Sequence, residues 1–284
     1  MKKIIPFLIL SILSCGPKSD PNHETNSNSP RIVSINGSIS EILVEFGLEN
    51  ELIGVDATST FPESLKSKTQ IGNAHSMNME QIIALQPTIV LSLTERGLKS
   101  EQATQLQQAG IKVQFYNLES NPESTQALIT DLGKEFGKEN EATALIEQMK
   151  QDIQNIPSIN PDTKVLFIYA RGAGAVQAAG DHTAMVEMIE LAGAKSATEG
   201  QFEGFKALTP EALLDANPDF ILLFETGFES LNGAKGLMEI PGMDKTNAGK
   251  HKRFITMDGQ FLSGFGPRTG KAAIELAKAL QANN

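Results

Sequence analysis

Met77-Asn-Met-Glu80-Gln-Ile-Ile-Ala-Leu-Gln-Pro87-Thr-Ile-Val-Leu91 reads as a short helix, a proline turn and a buried strand. The same order returns as Leu208-Thr-Pro-Glu211-Ala-Leu-Leu-Asp-Ala-Asn-Pro218-Asp-Phe-Ile-Leu222. Glutamate precedes proline by seven residues in both copies, and 131 residues separate Glu80 from Glu211 and Pro87 from Pro218. Proline ends each helix because it lacks the backbone N–H that the next turn needs. The apolar run after it suits a strand covered on both faces. One unit repeated at such distance predicts two similar lobes.

Strands and helices alternate around both copies. Strands are expected at 31–35, 52–55, 88–93 and 111–115, and helices at 38–46, 79–85 and 101–109, with Gly47 and Gly110 as stops. This alternation predicts a mostly parallel sheet and an α/β fold. From 122 to 156 the rhythm changes. Leu128, Leu132, Phe136, Leu145, Met149 and Ile153 recur at helical spacing, with Gly133 and Gly137 as weak points, and Pro157 and Pro161 end the stretch. Alternation resumes with strands at 165–169, 220–224 and 254–257 and helices at 183–192, 210–215 and 269–282. The expected division is an N-terminal lobe over 31–121, a linking helix over 122–157 and a C-terminal lobe over 158–284.

The chain starts with a signal. Met1-Lys2-Lys3 is followed by an apolar run from 4 to 13, too short to span a bilayer, and then by Ser14-Cys15-Gly16. Residues 1–15 read as a lipoprotein signal peptide, with Cys15 resembling the lipidated cysteine of a lipobox. Leu13 departs from the smaller residue usual there. Residues 16–30 are polar and rich in Pro, Ser and Asn, which predicts a disordered tether. The expected location is periplasmic, as a membrane-anchored lipoprotein. A lone cysteine excludes an internal disulfide and a cysteine metal cluster. A net charge of −10 excludes the basic face that a nucleic-acid partner requires. Gly-x-Ser-x-Gly, His-Glu-x-x-His and phosphate-loop patterns are missing from the sequence, so the chain reads as no enzyme. An extracytoplasmic hydrolase using paired carboxylates is the rival class.

From Arg31 onward the chain resembles the periplasmic binding proteins of ATP-driven importers for haem, cobalamin and iron-siderophores. Arg31-Ile-Val-Ser-Ile-Asn-Gly-Ser-Ile-Ser-Glu-Ile, Gly54-Val-Asp and the two repeat copies carry the match, and Val55-Asp-Ala-Thr-Ser with Gly264-Phe-Gly-Pro-Arg268-Thr is similar to the haem receptors in particular. The resemblance implies two Rossmann-like lobes joined by one long rigid helix, a ligand cleft between them, monomeric action and a partner ABC permease. It implies haem as the transported ligand, with cobalamin or an iron-siderophore as the alternative. Where the haem receptors carry Gly-Tyr-x-Arg, this chain has Gly72-Asn73-Ala74-His75. Asn73 is a poor ligand for ferric iron, whereas an imidazole is a good one. Either His75 takes over ligation or the ligand is not ordinary haem; His75 is the expected metal ligand, with Met77 a minor candidate.

In the other lobe, Tyr169 and Arg171 follow a strand at the usual ligand side of such sheets and suit a porphyrin and its propionate. Arg268 is the first choice to pair with a ligand carboxylate. His182 and His251 read as solvated. Glu80 and Glu211 are implied as permease-docking charges, one per lobe, and each also suits a capping box in its helix. Cys15→Ser is expected to leave the protein soluble outside the cytoplasm. A substituted protein that still partitions with membranes, as the wild type does, overturns the lipoprotein assignment.

Overall fold

The computed structural model describes residues 29–282, except 74, 75, 95, 96 and 173. Cys15, the signal peptide, nearly all of the tether and His75 lie outside the described residues.

In the N-terminal lobe, strands β1 (Ile32–Ile35), β2 (Leu52–Val55), β3 (Thr69–Gln70), β6 (Ile89–Leu93) and β7 (Lys112–Tyr116) form one parallel sheet ordered β3-β2-β1-β6-β7. Short strands β4 (Gly72–Asn73) and β5 (Ser76–Met77) make a separate hairpin. Alternate residues of each strand feed opposite cores. Ile89, Leu91 and Leu93 pack with the helices Gly37–Glu45 and Pro122–Phe136, while Val90, Val33 and Ile35 pack on the other face with Ile82 and Leu106.

The C-terminal lobe repeats the plan around β8 (Lys164–Ala170), β12 (Phe220–Phe224) and β13 (Phe254–Met257), which run parallel. β9 (Val176–Ala179) runs antiparallel on the other side of β8, β10 (Lys195–Ser196) pairs with the start of β8, and β11 (Phe205–Ala207) closes the edge. The repeat in the sequence is a repeat in topology. Helix Met79–Ala84 leads into β6, the neighbour of β1, and helix Pro210–Ala216 leads into β12, the neighbour of β8. β9 and β11 were not visible in the sequence, because the Gly-rich segment after Arg171 forms a turn between antiparallel strands, in which Arg171 N donates to Ala175 O at 3.1 Å.

The expected single helix over 122–157 is corrected. It divides into Pro122–Phe136 and Glu139–Gln154, with Gly137 between them at φ 62°, a left-handed stop that glycine adopts without steric cost. The two helices touch closely: a Cβ on Gly133 would lie 2.7 Å from Ala142 Cβ. One helix still makes the crossing. Ala142 is buried with the N-terminal core and Leu145 and Ile146 pack against it, while the far end, at Asp152 and Ile153, meets the C-terminal helix Thr269–Ala282. There a Cβ on Gly270 would lie 2.6 Å from Asp152 Cβ and 2.9 Å from Ile153 N, closer than packed atoms come. Gly270→Ala is therefore expected to cost about 1–3 kcal/mol and to lower the thermal midpoint by several degrees. An unchanged midpoint in a thermal melt would mean that the helices do not meet there.

Candidate functional site

The C-terminal ends of β1, β2 and β6 open onto a cavity of about 940 Å³. Asn36, Asp56, Thr58, Asn73, Leu93 and Lys99 line it from the N-terminal lobe; Gln260, Ser263 and Gly264 line it from the other. The cavity is thus a cleft between lobes, at the strand ends where α/β sheets bind ligands.

Local hydrogen bonding fixes its floor. Asn36 caps the helix Gly37–Glu45, its Oδ1 accepting from the backbone of Ser38 at 2.9 Å and of Ile39 at 3.2 Å. Asp56 is only 4% exposed. It accepts from Thr58 Oγ1 at 2.9 Å and Ser59 Oγ at 3.0 Å, and Thr58 Oγ1 accepts in turn from Gly37 N at 2.8 Å. Burial pushes the Asp56 carboxyl above its ordinary value near 3.8, and these hydroxyl and backbone hydrogen bonds pull the other way. Asp56 and Thr58 belong to a stretch that marked the resemblance, yet neither was assigned a place in the site.

The β4–β5 hairpin forms one edge of the cleft. Gly72 adopts φ 100°, and a Cβ there would lie 2.1 Å from Ser76 O, so only glycine fits. Asn73 lines the cavity, with its Oδ1 accepting from Ser76 N at 3.0 Å. Met77 is half-buried against the outer core with Met79.

In the C-terminal lobe, the end of β8 brings Tyr169 and Arg171 together. Arg171 Nε donates to Tyr169 Oη at 2.6 Å, and its guanidinium carbon lies 5.4 Å from the ring centroid. Tyr169 meets Phe205 edge to face at 5.8 Å. A second cavity of about 520 Å³ is lined by Tyr169, Arg171, Val176, Gln177 and Ala207.

Arg268 requires a correction. Its Nε and Nη2 donate to Glu41 Oε1 and Oε2 at 2.5 and 3.1 Å, so the fork expected to hold a ligand carboxylate is occupied by a carboxylate of the opposite lobe. Burial raises the Glu41 carboxyl above its ordinary range even against the pull of Arg268. His182 is exposed at φ 63°, 3.8 Å from Glu203 Oε1, in agreement with its reading as a solvated residue.

Glu80 and Glu211 are exposed at equivalent places, the second position of helices Met79–Ala84 and Pro210–Ala216. Neither is the capping-box residue that the sequence suggested. Asn78 and Thr209 cap these helices by accepting from the backbone of Gln81 and Ala212 at 3.0 and 3.2 Å. The carboxylates gain only the favourable end of the helix dipole and are left facing solvent. The helix Gly259–Ser263, which supplies Gln260 and Ser263 to the cleft, was also missed. Its signal was Asp258, whose Oδ1 accepts from Phe261 N at 2.8 Å.

Comparison with known proteins agrees with this geometry. Residues 32–261 match the family described as periplasmic binding protein. The periplasmic haem-binding protein RhuT of Roseiflexus sp. RS-1, solved in its apo form, is 34% identical with a TM-score of 0.85, covering 90% of this chain and 100% of its own. The periplasmic haem-binding protein BhuT, solved with two haems, is 30% identical with a TM-score of 0.83, covering 89% and 98%. The ABC transporter substrate-binding lipoprotein YvrC of Bacillus subtilis, itself uncharacterised, is 30% identical over 256 residues, 88% of this chain and 79% of that protein.

Proposed function

This chain belongs to the periplasmic binding protein family, and from that premise we propose that it captures haem in the cleft between its lobes and delivers it to the permease of an ABC importer. The observation that supports the reading is the Tyr169–Arg171 hydrogen bond beside a cavity of the C-terminal lobe, in a chain whose solved relatives RhuT and BhuT are haem-binding proteins. Tyrosine oxygen is a recognised haem-iron ligand, and a guanidinium donating to it orients that oxygen. Arg171 also offers positive charge to a propionate. From the N-terminal lobe, His75 is the proposed iron ligand, two residues after Asn73, which lines the cleft. The protein acts as a monomer outside the cytoplasm, held by lipid on Cys15; the relative YvrC is a lipoprotein.

Absorption titration with haemin, cobalamin and a ferric siderophore side by side tests the ligand. Haemin is expected to give a saturable Soret shift and the others none. His75→Ala and Tyr169→Phe are each expected to weaken haemin by about tenfold or more and to move the Soret band, with Asn73→Ala nearly silent. Unchanged affinity and spectrum in either variant removes that residue from the ligand set. The absence of saturable haemin binding by the wild type removes haem as the ligand.

Release requires docking, and the two exposed glutamates suit a permease with two similar halves. Glu80→Ala or Glu211→Ala is expected to leave haemin affinity intact and to reduce uptake through the importer, each charge contributing about 1–3 kcal/mol at that interface. Lost haemin binding in either variant would place the residue in the pocket instead.

A further inference from the structure

Helix Gly37–Glu45 of the N-terminal lobe carries Glu41, whose side chain is 3% exposed. Both of its oxygens are taken by Arg268 of the C-terminal lobe, itself 20% exposed. The guanidinium is also held between two aromatic rings, one from each lobe: its central carbon lies 3.7 Å from the centroid of Phe61 and 4.8 Å from that of Phe261. Three further hydrogen bonds cross the same boundary. Ser38 Oγ donates to Gly264 O at 2.6 Å, Gln260 Nε2 donates to Ser38 Oγ at 3.1 Å, and Thr125 Oγ1 donates to Phe265 O at 2.8 Å.

These contacts differ in kind from apolar packing. Apolar attraction has no preferred direction of its own, whereas a two-pronged guanidinium–carboxylate pair is satisfied at one distance and one orientation. Two rings stacked on the same cation narrow the choice further. The constraint reaches the cleft directly, because Gln260 and Gly264 both line the 940 Å³ cavity and bond to Ser38. A change of lobe angle at Arg268 therefore changes the cleft wall.

We propose that the Glu41–Arg268 pair, stacked between Phe61 and Phe261, is an inter-lobe clamp that fixes the width of the cleft and so sets how long the ligand stays bound. Glu41 and Arg268 act as positioning residues: they touch one another across the boundary and act on the ligand through the cleft wall. Loss of the pair lets the cleft wall shift away from a bound ligand, so the bound state loses contacts while the route into the cleft is little changed. The clamp thus governs the dissociation rate more than the association rate. The choice of haemin as probe rests on the reading above; the lobe geometry does not.

The test uses the mature protein with Cys15→Ser and spin labels on Gln107→Cys and Lys235→Cys, exposed positions on the two lobes. Pulsed dipolar spectroscopy is expected to give one narrow distance distribution. Arg268→Lys keeps the charge but loses the fork, and is expected to broaden that distribution and to raise the haemin dissociation rate by about tenfold, with association changed by less than about threefold. Exchanging the charges, Glu41→Arg with Arg268→Glu, is expected to recover a narrower distribution than either single change. Glu41→Gln carries the same measurement should Arg268→Lys not fold. A folded Arg268→Lys or Glu41→Gln protein with an unchanged distance distribution and unchanged haemin rates overturns the clamp. A wild type that ignores haemin overturns the ligand assignment, and the distance arm then decides the clamp by itself.

Discussion

The cleft depends on one helix being buried twice. Glu139–Gln154 gives Ala142, Leu145 and Ile146 to the N-terminal core and lays its far end along Gly270 of the C-terminal helix. A peptide linker would leave the two sheets free to turn about each other. A helix whose two ends are packed into different cores transmits the position of one core to the other, because both contacts are close-packed. The left-handed turn at Gly137 makes this possible. It reverses the chain, so that Pro122–Phe136 stays with the N-terminal sheet and the next helix is free to cross.

That rigid frame carries two unlike surfaces, which line two separate cavities. The N-terminal wall offers amide and hydroxyl groups with a carboxyl at its floor: Asn36, Thr58, Asn73 and Asp56. The C-terminal lobe offers an aromatic and cationic surface, with Tyr169 hydrogen-bonded by Arg171 and met edge to face by Phe205. A ligand reaching both cavities would need a flat apolar body, anionic edges and a polar centre. Haem has each of these features, and its ring would gain dispersion and desolvation from the aromatic side while its carboxylates meet arginine.

Fold was legible in the sequence where a physical rule acts over a few residues. β2 was read at its observed bounds of Leu52–Val55, because Leu52, Ile53 and Val55 make a short apolar run between the charged Glu51 and Asp56. The repeat around Pro87 and Pro218 was legible for the same reason, and it located β6 and β12 in equivalent places. What failed was long-range. No local pattern says that Gly137 reverses the chain rather than merely weakening a helix. Nor does one say that the Gly-rich segment after Arg171 joins antiparallel strands. The site was legible in part: Tyr169 and Arg171 meet because they stand two apart at a strand end, where side chains return to the same face. Arg268 was misread because its partner, Glu41, is 227 residues away in sequence.

The misreading of Arg268 also bears on how such a site is built. A buried arginine near a cleft invites pairing with an anionic ligand, but a free guanidinium there would stay largely desolvated whenever the cleft was empty, at considerable cost. Glu41 offsets part of that cost by accepting from both arms of the fork. Arg171 faces the opposite situation. It is exposed and hydrogen-bonded to a neutral phenol, so it keeps charge available without the penalty of burial. Burial therefore sorts the two arginines by role. Arg268 is neutralised within the protein by Glu41, whereas Arg171 stays open to water.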